Sequence, residues 1–450
     1  MLQGFFNGVN DAAGSSHQAV EHRQFRQFIP TTPASRVEPA KIAARPNRDR
    51  LVATIEQLAS IGAKPDGSVC RRGFSPEDVQ GRELLAHWMK QLGMQVRVDA
   101  AGNLIGRLEG LDPHRPALVT GSHLDTVPTG GRFDGALGVL AGLEACRALQ
   151  DQGLRLRHGI ELIAFADEES TMVGCKGLAG TASDDPESFA TSNGQPIQDN
   201  LARIGGHWPS LASARRSDEA YAAFLELHVE QGGVLEQRGD AIGVVEGVVG
   251  QRRYSINVKG QANHAGTTPM GLRQDALVAA SRLVLAVEAM ASRHPGDPVA
   301  TVGRLEVWPN AANVVPGAVA LTVDLRDVDP TVLDQLVEEL MQQVENIGAE
   351  TGCPIAVDPQ FSVDPTPADA VVMATIAAAA ADLGWSHSHL PSRASHDAQE
   401  VGRRWPMGMI FVPSRGGLSH SAAEFTSDEQ CWAGTAVLLE TLLRLDRQLP

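Results

Sequence analysis

The chain has 450 residues, which predicts two or three domains with a large buried core rather than one ordinary domain. Its residues are 43% hydrophobic and 20% charged, without an apolar run long enough to span a membrane, and its formal net charge of -16 would repel a nucleic acid backbone. Five scattered cysteines without a CxxC pair indicate a reducing compartment, so we expect a cytoplasmic protein. From the charge and the absence of a long apolar run, we expect that it binds neither nucleic acid nor a membrane.

The chain begins with a polar segment, residues 1–46, that lacks the apolar region of a secretory signal and is predicted to be a flexible extension. Apolar residues at helical spacing then predict two helices, at 48–62 and 82–93. Alternation of polar and apolar residues over 94–110 predicts a pair of strands.

A β-α-β unit comes next, with a strand at 116–123, a helix at 134–150 and a strand at 159–166. Both strands are nearly continuous apolar runs, which is typical of a parallel or mixed sheet covered on both faces. We therefore expect residues 47–250 to form the first part of an α/β domain.

Residues 251–361 follow a different order of elements, which is the split pattern of a ferredoxin-like βαββαβ domain. The predicted elements are, in order, a strand at 254–260, a helix at 275–293, strands at 299–307 and 319–327, a helix at 331–348 and a strand at 354–359. We interpret this region as a domain inserted into the first one. Residues 362–450 then resume the α/β order, and Ser427 with Gln430 predicts a capping box at the start of the last helix.

Four short segments carry acids and histidines after strand-like runs. In an open α/β sheet the carboxyl ends of the strands meet at one crevice, so side chains that are distant in the chain can converge there. The segments are GSHLDTVPTGGRFDGALGV with His123, Asp125 and Asp134, FADEES with Asp167, Glu168 and Glu169, LELHVEQGG with His228 and Glu230, and GGLSHSAAEF with His420.

Each segment alone has an ordinary structural explanation, because acids after a strand most often form a solvated turn and a single His is most often a satisfied or exposed side chain. Four such segments together favour a functional site. His123 and Asp125 are two residues apart at the end of a predicted strand, and side chains two apart on a strand share a face, so the carboxylate could fix the imidazole tautomer.

The number of candidate ligands indicates two metal ions rather than one. Three imidazoles and two carboxylates exceed the ligand set of one four-coordinate ion with an open position, but they suit two ions if one carboxylate bridges them. Nitrogen and oxygen donors without a thiolate favour zinc, with manganese or cobalt as alternatives. The candidate ligands are His123, His228, His420, Asp134 and Glu169.

Taken in order, these segments resemble the metal-dependent amidohydrolases of the M20 peptidase superfamily, and within it the hydantoinase/carbamoylase branch. The resemblance runs from about Asn47 to the end of the chain, and its most specific pieces are GSHLDTVPTGGRFDG, ELHVEQGG, NHAGTTPM, NVVPG, SHDAQ and FVPSRGGLSHSAAEFT. That branch contains N-carbamoyl-L-amino acid hydrolases, β-ureidopropionases and allantoate amidohydrolases. The resemblance therefore implies hydrolysis of a non-peptide C–N bond in a small molecule that carries a carboxylate.

The resemblance also implies a role for each residue of the metal site. Glu168 would be the general base, Asp125 would orient His123, and the peptide bond between Asp134 and Gly135 would be cis. Adjacent side chains of a regular strand point to opposite faces, so Glu168 and Glu169 can enter one pocket only where the strand ends. Two ligand sets would share the bridging aspartate, namely His123, Asp134 and His228 for one ion and Asp134, Glu169 and His420 for the other.

For substrate binding, the resemblance implies that His264 and His396 donate hydrogen bonds to the oxyanion of the reaction. Because His264 and Asn313 lie in the inserted domain, we expect that domain to be a lid that closes on the substrate. Relatives are homodimers through the lid domain and lend the equivalent of His264 to the partner's site. The side chains implied to grip the carboxylate and amide groups of the substrate are Gln231, Gln251, Asn313 and Arg326.

One loop departs from the pattern of the family. The segment from Ser170 to Val173 follows the two glutamates, where relatives usually have Gly, a small residue, Arg and Phe. This leaves allantoate, an N-carbamoyl amino acid, a ureidoglycine-like compound and another N-acyl amino acid open as substrates. Two other functions also remain open, an M20 aminoacylase or dipeptidase with the same metal core and a non-catalytic binding protein on this scaffold, although no ligand or base is missing.

Overall fold

The computed structural model describes residues 45–450, and its helices and strands follow the predicted α/β order. All but the last two residues of the predicted flexible extension, 1–46, lie outside the described residues. Within the described range, no helix combines the length and apolarity that crossing a membrane requires. All five cysteines lie in this range, and none forms a disulfide.

The helices of the described chain are α1 Arg48–Ala59, α2 Pro76–Gln91, α3 Ala136–Asp151, α4 Val173–Ala179, α5 Ile197–Arg203, α6 Val234–Arg238, α7 Ala276–Arg293, α8 Pro330–Thr351, α9 Ala370–Asp382, α10 Asp397–Val401 and α11 Asp428–Gln448. The predicted capping box is confirmed at the start of α11. The Ser427 hydroxyl accepts from the Gln430 backbone N–H, and the Gln430 side chain accepts from the Ser427 backbone N–H.

The strands are β1 Gln95–Val98, β2 Leu104–Leu108, β3 Ala117–His123, β4 Ile160–Phe165, β5 Tyr221–Val229, β6 Ile242–Val248, β7 Gly250–Lys259, β8 Asn263–His264, β9 Val299–Trp308, β10 Val314–Val315, β11 Ala318–Asp327, β12 Ile355–Val363, β13 Thr366–Pro367, β14 His387–Ser392 and β15 Met407–Val412. The predicted strand pair at 94–110 corresponds to β1 and β2, which are antiparallel.

Nine strands form one mixed sheet in the order β1-β2-β4-β3-β5-β15-β6-β13, with β14 also paired to β6. The four inner strands β4, β3, β5 and β15 are parallel to one another. The antiparallel pairs of this sheet are β1 with β2, β2 with β4, β15 with β6, and β13 with β6. The carboxyl ends of the four parallel strands therefore open onto one edge of the sheet, where ligands usually bind in such folds.

Helices cover both faces of this sheet, as its continuous apolar strands require. On one face α3 packs against α1 and α11, and nearly all residues of α3 are buried in the main core. On the other face α4 and α10 pack in a second core that includes Cys175 and Val401. Every position of β3 and β4 is buried, as expected for strands covered on both faces, which explains why their apolar residues do not alternate with exposed polar ones.

A separate antiparallel sheet is formed by the elements between Gly250 and Val363, in the order β12-β7-β11-β9. Along the chain these elements follow the predicted sequence of strand, helix, strand, strand, helix and strand. Helices α7 and α8 contact each other and the sheet and enclose a core of their own. Strands β9 and β12 are the two edges of this sheet.

Candidate metal centre

Side chains from all four predicted segments meet at the carboxyl edge of the nine-stranded sheet. His123 is the last residue of β3, and His228 is the last but one of β5. Glu168 and Glu169 follow the end of β4, and His420 follows β15. Together with Asp134 these side chains line one cavity of about 260 Å³. The convergence predicted from the segments is therefore present.

Asp134 stands between two groups of imidazoles and presents a different carboxylate oxygen to each. Its Oδ1 lies 3.2 Å from His228 Nε2 and 4.0 Å from His123 Nε2. Its Oδ2 lies 3.2 Å from His420 Nε2, which is 3.6 Å from Glu169 Oε2. In each group, the ligand atoms lie within 4.8 Å of one another. This arrangement suits a carboxylate that bridges two ions.

The rings of His123 and His228 are held in the tautomer that a metal ligand needs. His123 Nδ1 donates to the Asp125 carbonyl oxygen at 2.9 Å, and His228 Nδ1 donates to the Val229 carbonyl oxygen at 2.8 Å. Because a carbonyl oxygen only accepts, each Nδ1 must carry the hydrogen. In the neutral imidazole that would bind a metal, the lone pair is then on Nε2, which faces Asp134 in both cases.

A third group of potential ligands also has ligand atoms within 4.8 Å of one another, namely Glu226, His228 and His396. However, the Glu226 oxygens and His396 Nε2, which would bind the metal, already form hydrogen bonds. The two carboxylate oxygens of Glu226 accept from Ser122 Oγ and from the Ala398 backbone N–H, and His396 Nε2 lies 2.8 Å from Ser392 Oγ. Metal binding there would break those hydrogen bonds, so the two groups that share Asp134 are favoured.

Asp125 acts on His123 through its backbone rather than through its carboxylate. The carboxylate Oδ1 is 3.7 Å from His123 Nδ1, beyond hydrogen-bonding distance. Its two oxygens instead accept from the backbone N–H groups of Glu168 and Glu169, at 3.3 and 3.1 Å. The Asp125 carboxylate therefore fixes the turn that carries both glutamates. The prediction gave Asp125 only the role of orienting His123.

The turn after β4 explains how two adjacent glutamates reach one cavity. Asp167 adopts a positive φ of 55°, and its carboxylate accepts from the backbone N–H and the hydroxyl of Thr171. Strand geometry thus ends before Glu168, whose Oε2 lies 3.6 Å from His123 Nε2. Both glutamates then line the cavity, as the bend predicted for this segment requires.

The carboxylates of the site influence one another's ionisation. Burial raises the pKa of Glu168 well above its usual range, and the charge of Glu169 adds to this. Burial, with the charge of Asp134, raises the pKa of Glu169 to about 7. Burial would also raise the pKa of Asp134, but hydrogen bonds with His228 and His420 hold it well below its usual range. A buried cluster of mutually repelling carboxylates favours the binding of cations.

Glu424 is a buried residue of the site that sequence reasoning missed. Its Oε1 accepts from the backbone N–H groups of Phe133 and Asp134 at 2.9 and 3.2 Å, and its Oε2 lies 3.3 Å from Ser419 Oγ. It therefore joins the turn of Asp134 to the loop of His420. A Cβ on Gly131 would lie 2.1 Å from Glu424 Oε1, which explains a glycine at that position. The sequence feature that could have identified Glu424 was its position as an acid four residues after His420.

The predicted cis bond between Asp134 and Gly135 is wrong. Among the residues that the structure describes, the sole cis peptide joins Trp308 and Pro309. Gly135 instead takes φ 63° and ψ -53°, and a Cβ there would lie 2.3 Å from the ring of His123. The tight turn is thus achieved by a positive φ and a close approach to the imidazole, both of which require glycine.

Two of the predicted substrate-binding side chains line the cavity. Gln231 Nε2 donates to Asp134 Oδ2 at 2.9 Å. His396 is buried beside His228, with ring centroids 4.4 Å apart, and faces the same cavity. The cavity wall also includes Met172, a large apolar side chain in a mostly polar lining.

The predicted substrate-binding residues of the inserted region, 251–361, lie outside this cavity. Arg326 donates from Nε to Asp324 at 2.8 Å and from Nη1 to the Arg393 carbonyl oxygen at 2.9 Å, and Gln251 also donates to Asp324. His264 is exposed, and its Nδ1 accepts from the Gly266 backbone N–H. The cavity lining, as far as the described residues go, contains none of Gln251, His264, Asn313 and Arg326.

Comparisons with known proteins agree on one family. The model of peptidase family M20/M25/M40 matches residues 119–444. An N-carbamoyl-L-amino acid amidohydrolase of Geobacillus stearothermophilus is 37% identical over 402 residues, which cover 88% of this chain and 98% of that protein. An allantoate amidohydrolase of Bacillus subtilis is 36% identical over 397 residues, covering 87% and 96%. A crystal structure of an amidase of the hydantoinase/carbamoylase family from Burkholderia multivorans superposes with a TM-score of 0.83 at 38% identity, covering 89% and 98%.

Proposed function

The chain belongs to peptidase family M20/M25/M40, and on this premise we propose that it is a metal-dependent amidohydrolase acting on a non-peptide C–N bond. The proposed substrate is an N-carbamoyl amino acid or a related ureido compound such as allantoate, the substrate classes named for its relatives. The observation that carries this proposal is the bridging position of Asp134 between two sets of imidazoles, beside a glutamate that belongs to neither set.

The residues of the site fit two divalent ions. His123, Asp134 and His228 would hold one ion, and Asp134, Glu169 and His420 would hold the other. The buried Oε1 of Glu169 has no hydrogen-bond partner, so this oxygen is available as a ligand atom. Imidazole and carboxylate donors without thiolate favour zinc, and manganese or cobalt would also suit them.

Bound divalent ions would polarise the substrate carbonyl and lower the pKa of the attacking water. Glu168 is placed to be the general base, because its carboxylate is buried in the cavity beside His123 and belongs to neither ligand set. It would accept the proton of the water at a carboxylate oxygen and deliver that proton to the leaving nitrogen. The positive charge at the site would keep Glu168 ionised before the reaction.

Two further side chains of the cavity would contact the substrate directly. His396 would donate a hydrogen bond to the oxyanion, since its ring faces the cavity beside the ligand His228. Gln231 would orient an amide or carboxylate group of the substrate from its place beside Asp134. Both are held by the nine-stranded sheet and its adjoining loops, so they need no domain movement to reach the substrate.

The inserted domain, residues 251–361, would act as a lid that brings Arg326, Gln251 and Asn313 to the substrate. A guanidinium offers a planar two-pronged grip on a carboxylate, which suits Arg326 for the acidic end of the substrate. The lid would also form a homodimer, in which His264 serves the partner's site. Exposed apolar side chains on the lid support this part of the proposal, namely Met270, Leu272, Leu305 and Trp308.

An aminoacylase or dipeptidase activity is the second enzymatic candidate, because it would use the same metal core. The names of the relatives favour the ureido substrates over it. A non-catalytic binding protein is disfavoured, since all five proposed ligands and Glu168 are present in one cavity.

A substrate panel would test the proposed function. We expect the zinc-loaded or manganese-loaded protein to hydrolyse N-carbamoyl amino acids or allantoate and to leave dipeptides and N-acetyl amino acids largely uncleaved. Turnover confined to dipeptides or N-acetyl amino acids would establish the second candidate instead. Bound metal without turnover of any amide would favour the binding protein.

A further inference from the structure

The strand that carries His228 also carries a charged residue at the centre of the nine-stranded sheet. Glu226 lies two residues before His228 on β5, so the two side chains leave the strand on the same face. Its exposure is 0%, although its neighbours Leu225 and Leu227 belong to the apolar core. A buried carboxylate is costly unless hydrogen bonds satisfy it, so its contacts indicate why it is there.

One oxygen of Glu226 binds the strand next to its own. Ser122 Oγ donates to Glu226 Oε1 at 2.6 Å, and both groups are buried. Ser122 directly precedes His123 at the end of β3. The contact therefore joins the ends of the strands that carry His123 and His228.

The other oxygen of Glu226 binds the segment that carries His396. The Ala398 backbone N–H, in the first turn of α10, donates to Glu226 Oε2 at 2.9 Å across 172 residues of sequence. His396 is the residue just before this helix. Its ring is oriented separately by the contact between its Nε2 and Ser392 Oγ at 2.8 Å. The backbone position of His396 therefore depends on Glu226, while its ring orientation depends on Ser392.

We propose that Glu226 is a positioning residue, which fixes the spacing of His123, His228 and His396 by hydrogen bonds to Ser122 and to the Ala398 backbone. As a contribution to catalysis this inference rests on the proposed function. Glu226 does not contact the substrate and is not a metal ligand, because both of its oxygens are used. Removing it would displace His396 relative to His228, and small displacements of this kind lower the rate of the chemical step.

The Glu226→Gln variant distinguishes the effect of the two hydrogen bonds from the effect of the negative charge. In Glu226→Gln the amide oxygen can still accept from the Ala398 backbone N–H, and the amide nitrogen can donate to Ser122 Oγ, since a hydroxyl both donates and accepts. Both contacts are thus retained without the negative charge. Glu226→Ala removes both contacts.

Glu144 provides a matched control. It is also fully buried, and its carboxylate accepts from the Asn47 backbone N–H and from the Arg50 side chain. These contacts hold α1 against α3 and involve no residue of the metal site. Glu144→Ala should therefore lower the melting temperature without a specific effect on the site.

The test compares kcat, KM and melting temperature for Glu226→Ala, Glu226→Gln and Glu144→Ala in the zinc-loaded protein, with N-carbamoyl amino acid as substrate. We expect kcat of Glu226→Ala to fall about ten- to a hundredfold with little change in KM. Glu226→Gln should stay within about threefold of the native kcat because its hydrogen bonds are kept. An equal loss in the Gln and Ala variants, or a loss that Glu144→Ala matches, would overturn the proposal.

A second measurement decides the matter without turnover. In imidazole-labelled protein, the NMR signals of His396, assigned with the His396→Asn variant, should shift in Glu226→Ala and remain unchanged in Glu144→Ala. Unmoved His396 signals in Glu226→Ala would refute the positioning role. If the native protein cleaves no ureido compound, the proposed function fails, and the NMR comparison still tests Glu226.

Discussion

At the scale of single residues, the two adjacent glutamates are the most informative part of the site. Glu169 lies beside His420 and offers an oxygen without a partner, whereas Glu168 lies beside His123 and is outside both ligand sets. The same residue type therefore has two proposed roles, which differ through position alone. The backbone N–H groups of both glutamates donate to the Asp125 carboxylate, which fixes their positions.

Glu168→Gln should separate metal binding from proton transfer. The variant keeps the shape of the side chain but cannot accept a proton, so we expect kcat to fall about 10²- to 10⁴-fold. Metal content, measured by elemental analysis after dialysis, should remain equal to that of the native protein. Loss of metal together with activity would contradict the assignment of Glu168 as the base.

Met172 should influence which substrates are accepted. It is a large apolar side chain in the lining of a mostly polar cavity, and its N–H is fixed by the Asp167 carbonyl oxygen. Met172→Ala should lower kcat/KM for N-carbamoylmethionine about tenfold, because an apolar contact is lost, and leave N-carbamoylglycine nearly unchanged.

Met373→Ala is the matched control for Met172, since Met373 is partly buried against the main core and lies outside the cavity lining. Equal losses for N-carbamoylmethionine and N-carbamoylglycine in Met172→Ala would remove this residue from the determinants of specificity.

The residues that line the cavity and are proposed as metal ligands could be predicted from sequence, but two of their supporting acids could not. His123 and Glu169 stand just past apolar runs, where strand ends are expected, and their residue types are those of metal ligands. Glu226 and Glu424 act through backbone N–H groups that are 172 and 291 residues away. Only the fold reveals those partners. A single acid within the apolar strand FLELHV was the visible sign of Glu226.

At the scale of elements, the strands and the capping box were predictable because they depend on local pattern. The turn at Gly135 was not, since the same tight geometry can be reached by a positive φ or by a cis bond. The placement of Arg326 was not predictable either, because it donates to the Arg393 carbonyl oxygen, just after β14 and 67 residues away in the chain. Side-chain contacts between residues so far apart have no local signature in the chain.

The junction between β4 and α11 yields a pH-dependent prediction for stability. Burial raises the pKa of Asp446, but hydrogen bonds from the His158 backbone and side chain outweigh this and hold it below its usual range. A carboxyl with a depressed pKa stabilises the fold above its unfolded pKa, and that contribution is lost as the pH falls through the folded value.

Asp446→Asn should therefore lower the free energy of unfolding by at most about 1.5–3 kcal/mol at pH 7, the range for hydrogen bonds to charged groups. The difference from the native protein should shrink as the pH falls below about 4, the ordinary pKa of an aspartate. Urea unfolding of the native protein and the variant, at pH 7 and again below about pH 4, measures this difference in the free energy of unfolding. A difference that is the same at both pH values would show that the charge of Asp446 is not responsible.

At the scale of the whole molecule, the proposed homodimer depends on the edges of the four-stranded sheet. Strand β9 is one edge and exposes Leu305 and Trp308, at 41% and 48%. An open edge strand with apolar side chains is a surface to which another chain can add. Burial of these side chains between two lids would explain their exposure in a single chain.

Trp308→Glu should convert the dimer into monomers, because a charged group would be buried in the contact. Phe361→Glu is the control, since Phe361 is 46% exposed on β12, the opposite edge of the same sheet. Light scattering coupled to gel filtration measures the mass of each variant. Dimers that persist in Trp308→Glu, or dissociate equally in Phe361→Glu, would exclude β9 as the specific contact.

The central claim, two ions that share Asp134 in a site for ureido hydrolysis, is tested most directly by metal titration. Protein stripped with a chelator would be supplied with increasing zinc while hydrolysis of an N-carbamoyl amino acid and of allantoate is measured. Full activity on at least one of these substrates should require two equivalents of zinc per chain. A plateau at one equivalent, or no hydrolysis of either compound at any zinc content, would contradict the account.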